Sequence, residues 1–412
     1  MEAAKHLKAH KSPLKWISRL SVILSFTLLA GVLGTSASAY GQGDSLKVYY
    51  PSSQQLKEIF HITVQGSDTL KQGRYRYYFP NGTLGQKGFF NNNRLDSLWH
   101  LYYETGELKK KLCFHKGKRH GPYKVYYKNG HLKQKARYES GRLDGPFRTY
   151  YKDDTLESIS HYENGIQKGL IKVYYPDGTL YKEYQAYNGR EKGPWKAYYE
   201  DGSLNYSGTR IKGRFVDTLR VYHKNGQLQR LCIYRDGKLH GPYRGYYPNG
   251  QLHVKCTYQK GEITGSYQTY YPNGTIKETG HYSPEGNKTG LWKSFYPDST
   301  LHGKGRYENG KYTGEWKIYH PNGMLKQTGK YKQSQASGFW KLFYENGKIK
   351  EYGKYVKDSK TGPWHYCDTT GQVHRIIYHR KNLPDGPVWM RNGQEKANTK
   401  KKLYKKGHPL SP

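Results

Sequence analysis

Aromatic and aliphatic residues alternate with polar ones in short runs along this chain, and the runs recur every 24 residues. A Pro-Asn-Gly segment punctuates the pattern. Its glycine falls at Gly82, Gly106, Gly130, Gly178, Gly202, Gly226, Gly250 and Gly274, with Asp154 at one step; after a one-residue slip the position is held by Ser299, Gly323, Gly347 and Gly371. Seven residues before this position stands Trp, Tyr or Phe in eleven of thirteen units, and three before it Tyr or Phe in ten. Five before it is often aliphatic, as in Leu101, Val125, Val173 and Ile318. Alternation of this kind puts the three positions on one face of a strand. Two residues after the glycine stands Leu, Ile or Val in every unit; six after is a small residue in most units, and eight after is mostly Tyr or Phe. This second run also has period two, so each unit predicts two strands.

The Pro-Asn-Gly link supplies a preset φ, a tolerant corner and a left-handed glycine, which fits a type I turn with a glycine bulge. The return link carries two more glycines, as at Gly310 and Gly314. Both links are short, so successive strands pair as an antiparallel meander. The predicted fold is therefore all-β: an elongated antiparallel β-hairpin array of about 13 units, one twisted or coiled sheet on the order of 120 Å long. A degraded unit begins at Tyr49-Tyr50-Pro51-Ser52-Ser53. A unit this short cannot bury its own apolar face and stacks on its neighbours.

The units resemble MORN repeats, in particular the variant repeat of YwqK-type antitoxin proteins. The likeness is clearest from Tyr307-Glu308-Asn309-Gly310 through Gly314-Glu315-Trp316-Lys317 to His320-Pro321-Asn322-Gly323, and covers roughly residues 49–379. It implies an extended sheet that serves as a scaffold or binding surface. The expected organisation is a signal peptide at 1–39, a capping or degenerate repeat at 40–75, repeats at 76–379 and a basic, disordered tail at 380–412.

The amino end changes the picture of where such a protein works. Lys5 to Arg19 is a basic run, Leu20–Leu33 is apolar, and Ala37-Ser38-Ala39 is an A-x-A cleavage site before Tyr40. This is the pattern of a cleavable export signal, placing the mature protein in the periplasm, at the outer surface or outside the cell. The apolar run falls short of the ~20 residues of a spanning helix. Four cysteines in an exported chain raise the question of disulfides. Cys232 and Cys256 lie one whole period apart, two strands or about 9.5 Å, beyond the roughly 7 Å that a disulfide allows. They occupy the small slot that holds Gly88, Gly208, Gly280, Gly305, Gly329 and Gly353 elsewhere.

Charge supplies the candidate site. The chain carries 69 Lys and Arg against 32 Asp and Glu, a net charge of +37. Six residues before the turn glycine stand Arg76, His100, Lys124, Arg148, Lys172, Lys196, Arg220, Arg244, Gln268, Lys293, Lys317, Lys341 and His365: ten Lys or Arg and no acid. Two residues later on the same face an aromatic follows in twelve units, including Tyr126, Tyr150, Tyr174 and Tyr198. Further cations, among them Lys109, Lys133, Lys277, Lys326 and Lys350, stand three after the glycine. A stripe of cations over tyrosines suits anionic glycan or lipid headgroups, with nucleic acid disfavoured by the export signal. The structural alternative is that lysine and arginine stems shield tyrosine rings and gain cation–π contacts.

Catalytic signatures are missing from the sequence: there is no H-E-x-x-H, C-x-x-C, G-x-S-x-G or G-K-[ST] segment. His365-x-Cys367 with His374 and His379 follows no zinc spacing. The expectation is a non-enzymatic exported scaffold of the cell envelope without cofactor or metal. It would contact a protein or an anionic surface, and its oligomeric state cannot be read from the sequence. The alternatives are an antitoxin or immunity-type binder of one protein, and a nucleic-acid binder if the chain stays inside the cell.

Overall fold

A computed structural model describes residues 45–391 and 399–409. The expected signal peptide lies outside the described residues. Among the described residues thirty-two strands form one open antiparallel sheet, and strands pair with their neighbours in chain order except where one strand is interrupted. The substantial contacts are likewise between strands adjacent in the chain. The first strands are β1 (Ser45–Tyr49), β2 (Leu56–Gln65), β3 (Asp68–Tyr78), β4 (Leu84–Asn91), β5 (Arg94–Tyr102) and β6 (Leu108–His115). They continue as β7 (Lys118–Tyr126), β8 (Leu132–Glu139), β9 (Arg142–Leu143) and β10 (Gly145–Tyr150), the last two being halves of one interrupted strand against β8.

The two links differ in conformation because their sequences differ. At the Pro-Asn-Gly end the backbone turns through a left-handed glycine, such as Gly250 at φ 82°, and Gly250 N–H donates to Tyr247 C=O at 2.9 Å. Asp154 and Ser299 hold the same left-handed position at φ 69° and 72° without glycine. The return link is a two-residue turn with both residues at positive φ, as at Asn309 (47°) and Gly310 (76°), which is the type I′ turn that matches strand twist. The slip near Ser283 has a physical reading. Its extra residue replaces the two-residue turn by Ser283-Pro284-Glu285-Gly286-Asn287, a copy of the other link in which Gly286 N–H donates to Ser283 C=O at 3.0 Å.

A bulge follows every return turn. Arg306 pairs with Thr313 and Lys304 with Lys317, so two extra residues are accommodated around Gly314 at φ 65°. The bulge withdraws one carbonyl from the ladder, and in four units the tryptophan seven before the turn glycine answers it, whereas the indole N–H groups of Trp195 and Trp340 are buried without a partner. The indole N–H groups of Trp99, Trp292, Trp316 and Trp364 donate to the carbonyls of Phe89, His281, Arg306 and Lys354, each at 3.2 Å. A small residue must lie beneath each ring. A Cβ on Gly88, Gly280, Gly305, Gly329 or Gly353 would come within 2.0–2.4 Å of the indole.

This decides which aromatic set is packed. The residues seven before the glycine are the core: Trp99, Ile171, Trp195, Leu219, Trp292, Trp340 and Trp364 are buried, and the last is 0% exposed. Their neighbours in the core are those eight after the preceding glycine, with Tyr355 set edge-on to Trp364 at 4.9 Å and Phe90 to Trp99 at 5.3 Å. Fully burying one such side chain contributes about 1.5–3 kcal/mol.

The aromatics three before the glycine do not join this face, contrary to expectation. The strands end one residue earlier, and these rings swing at the turn against the residue three after the glycine: Tyr103 under Lys109, Tyr127 under Lys133, Tyr175 against Tyr181, Tyr247 against His253. Their hydroxyls link unit to unit. Tyr103, Tyr127, Tyr151, Tyr175, Tyr199, Tyr247, Tyr271, Tyr296 and Tyr344 each donate to the last strand carbonyl of the next hairpin at 2.7–3.0 Å, and His223 and His320 place Nε2 at 3.0 and 3.1 Å from the same carbonyl. The turn asparagines add a second ladder, for example Asn249 Nδ2 to Pro272 C=O at 2.9 Å.

The sheet does not stop at Arg380, where the sequence predicted a disordered tail. Leu383–Arg391 pairs with the preceding strand, Thr399–Lys405 with it, and His408–Pro409 closes the edge. Gly386-Pro387-Val388 stands one period after Gly362-Pro363-Trp364, and Val388 fills the tryptophan slot at 4% exposure. The repeat therefore persists, and its marker was hidden because valine replaced the aromatic. The lysine-rich strand beyond it suits a sheet edge, where charge opposes further pairing.

The four cysteines are free. Tyr243 is the cross-strand neighbour of both Cys232 and Cys256 and stands between them. Burial pushes the Cys256 thiol up to about 11.

Candidate anion-binding face

The register turns the proposed cation stripe into something denser than the sequence suggests. Residues six before the glycine lie directly opposite residues five after it, on both sides of every strand. Arg76 faces Lys87, Lys87 faces His100, His100 faces Lys111, Lys111 faces Lys124, Lys124 faces Lys135, and Lys135 faces Arg148. One row thus crosses β3 to β8 and β10 with six cations and a histidine. Sequence reasoning found Arg76, His100, Lys124 and Arg148 but missed Lys87, Lys111 and Lys135. It assigned the second strand's contribution to Lys109 and Lys133, which belong to the turn tyrosines. The usable signal was the parity of the position five after the glycine. Reading it required the register across the bulge.

Like charges directly opposite one another on adjacent strands are destabilising. No acid offsets them in this stretch: among the described residues, none of Arg76, Lys87, Lys111, Lys124, Lys135 and Arg148 has an ion-pair partner. Lys87 Nζ lies 5.9 Å from the centre of the Tyr102 ring, and His100 stacks beside that ring at 6.4 Å and 18°. His100 is held below the usual histidine range, first by burial and then by the lysines at 87 and 111. Both effects favour its neutral form within a positive row.

Beyond Arg148 the same row changes character. Arg148 faces Ile159, which faces Lys172, and Lys172 faces Glu183, which faces Lys196. Glu183 lies 3.5 Å from Lys196 Nζ and 4.0 Å from Lys172 Nζ, and it accepts the Tyr198 hydroxyl at 3.0 Å. Arg220 is flanked by Ser207 and Leu231, and Arg244 by Leu231 and Lys255. A shorter basic run returns at Lys293, Lys304 and Lys317, where Glu315 stands 3.5 Å from Lys317 Nζ. Lys341 lies between Thr328 and Tyr352, and His365 stacks on Tyr352 at 4.5 Å and 2°. The positions six before the glycine share one row with those five after it, and only the first part of that row is uniformly cationic. The tyrosines beside it, Tyr126, Tyr150, Tyr174 and Tyr198, are half-buried.

No group of three or more His, Cys, Asp or Glu among the described residues is placed to hold a metal ion. No described helix is long and apolar enough to cross a membrane. The depressions that do form are shallow, one lined by His61, Gly73, Arg74 and Phe89, another by Ile159, Leu170, Lys172 and Tyr174.

Fold and face together define a class: a non-globular hairpin-repeat protein whose long sheet offers one packed face and one charged face. Nine of its repeats match the MORN repeat variant, at residues 71–92, 119–140, 143–164, 191–211, 239–260, 263–283, 288–309, 312–333 and 338–357. No curated protein matches the chain. Among solved structures, the "Crystal Structure of TcdB2-TccC3-TEV" aligns over 89% of this chain and 22% of that chain, at 11% identity and a TM-score of 0.15. The Tc holotoxin pore of Photorhabdus luminescens aligns over 86% and 23%, at 12% identity and a TM-score of 0.16. The chain thus spans about a quarter or less of their length, and overlays of this quality carry no argument about it.

Proposed function

We propose that this protein is an exported, non-enzymatic repeat scaffold of the cell envelope whose charged sheet face binds an anionic partner. The observation that carries the reading is the unpaired cationic row from Arg76 to Arg148. A chain that needed only solubility would interleave acids, as it does at Glu183. The export part rests on the basic run, the apolar run and Ala37-Ser38-Ala39.

Amino-terminal sequencing of the protein recovered from cell fractions tests the export part. A start at Tyr40 in an envelope or extracellular fraction is the expected result. An intact Met1 in the cytoplasm overturns it and shifts weight to an antitoxin-type or nucleic-acid partner. Binding of the full chain to polyanions at increasing salt tests the other part. Affinity is expected to fall steadily with ionic strength. A complex with one protein, of fixed stoichiometry and indifferent to moderate salt, would support the antitoxin-type reading instead.

A further inference from the structure

We propose that β3 to β8 and β10 form a linear track for an acidic polysaccharide, a polyuronate chain laid across the strands with its carboxylates along the row from Arg76 to Arg148. This rests on the anionic-partner reading above and narrows it to a place, a geometry and a ligand chemistry.

The geometry is that of a single file. One row position comes from each strand, so the charges are spaced at the interstrand distance of about 4.8 Å, and seven positions extend roughly 30 Å. That is the spacing of a polymer with one charge per pyranose ring. A duplex would be met by cations spaced to follow two strands.

The flanks of the row suit sugar rings. On one side lie Phe89, Leu98, Cys113, Pro122 and Pro146, interrupted by the exposed Arg74 opposite Phe89 and Arg137 opposite Pro122. On the other lie the half-buried rings of Tyr78, Tyr102, Tyr126 and Tyr150. Apolar surface beside the cation file, with Arg74, Lys109, Lys133 and Arg137 as further cations at its margins, complements a chain whose rings have apolar C–H faces and whose edges carry carboxylates. A single-stranded nucleic acid needs free aromatic faces for its bases. Tyr102 does not offer one, because Lys87 sits over it and His100 stacks beside it.

Bound carboxylates would also remove the repulsion between neighbouring cations, which the fold otherwise leaves standing.

The test uses the full chain and polygalacturonate, with its fully methyl-esterified form as the uncharged control. Binding to the first and not the second is expected. Lys111→Gln, Lys124→Gln and Lys135→Gln together should weaken binding about tenfold, whereas Lys172→Gln, Lys196→Gln and Arg220→Gln together should change it by no more than about twofold. Thermal melts of both triples confirm folding, and Lys124→Gln alone serves if the first triple is unstable. Affinity for defined oligouronides should rise with length and level off near about seven sugars, when the track is filled.

Equal losses in both triples, or no plateau with length, would overturn the track while leaving an anionic face. Binding to single-stranded DNA or phosphatidylglycerol vesicles but not to polygalacturonate would overturn the polysaccharide and keep the anionic partner. Binding to none of the three would sink both readings.

Discussion

Two stretches of equal length share one backbone plan and differ in charge. Residues 71–150 carry 18 Lys and Arg against 5 Asp and Glu, while residues 151–230 carry 13 against 10. In the second stretch Glu183 sits between Lys172 and Lys196, and Tyr198 donates to it. In the first stretch the equivalent positions are Lys111 and Lys135, with Lys124 between them. The hairpin does not need a cation in every slot, since the second stretch folds the same way without one. What every unit needs lies on the other face and at the turns. An uninterrupted row is therefore a property of the first stretch, and it works against folding there.

The largest way to perturb either stretch is through its core, where the same slot is filled in opposite ways. Gly88 lies under Trp99 in the first, and Tyr184 is cross-strand to Trp195 in the second. Gly88→Val forces a methyl group into the indole and is expected to lower stability by about 2–3 kcal/mol. Tyr184→Gly opens a cavity and should cost about 3 kcal/mol or more. Urea melts of both variants check this, and tolerance of Val at Gly88 would show that the tryptophan shelf is not rigid.

Next come the turn tyrosines, which should not distinguish the stretches at all. Tyr127 donates to Tyr150 C=O at 2.9 Å and Tyr175 to Tyr198 C=O at 3.0 Å. Tyr127→Phe and Tyr175→Phe are each expected to cost about 1 kcal/mol, within error of one another. A clear difference would mean that the ladder is not a shared frame.

The charge swap sharpens the comparison most directly, with effects of about 1 kcal/mol or less. Lys124→Glu creates in the first stretch the alternation already present in the second and should raise the melting temperature. Glu183→Lys copies the first stretch into the second, strands the Tyr198 hydroxyl and should lower it. Effects of the same sign in both would show that the row is electrostatically neutral to folding.

The smallest effect is the pH response of His100. Its folded-state value lies below the ordinary histidine value because of burial and the two flanking lysines. The unfolded chain takes up a proton as pH falls through about 6.5, while the folded chain resists it. Stability should therefore decline from that point down to the lowered folded value and level off below it. His100→Gln should remove this part of the slope, and a pH series of urea melts on both proteins reads it.

Much of this was written in the local sequence. Period two on both sides of Pro-Asn-Gly fixes two strands per unit, because side chains alternate and the turn chemistry permits one tight reversal. The exposed turn residues, the small slot and the free cysteines follow from the same phase. Read one strand at a time, the pattern also locates the cations six before each glycine. It fails where a side chain's meaning depends on its neighbour across the bulge. Lys87, Lys111 and Lys135 are unremarkable in their own strand and become part of a file only when Lys111 is set opposite His100 and Lys124.

Tertiary structure alone decided the rest. Both faces carry aromatics, so periodicity could not say which set is packed. In units such as that of Trp364 the choice falls to the tryptophan because the bulge leaves a carbonyl that the indole N–H satisfies and the preceding unit leaves a glycine, Gly353, beneath the ring. The last strands were invisible because Val388 does by apolar burial what an aromatic does elsewhere, and burial is a property of the assembled sheet. Sequence determined the unit, since its turns and alternation act within 24 residues. Structure determined the surface, because adjacency between strands is set by register, which no single strand contains.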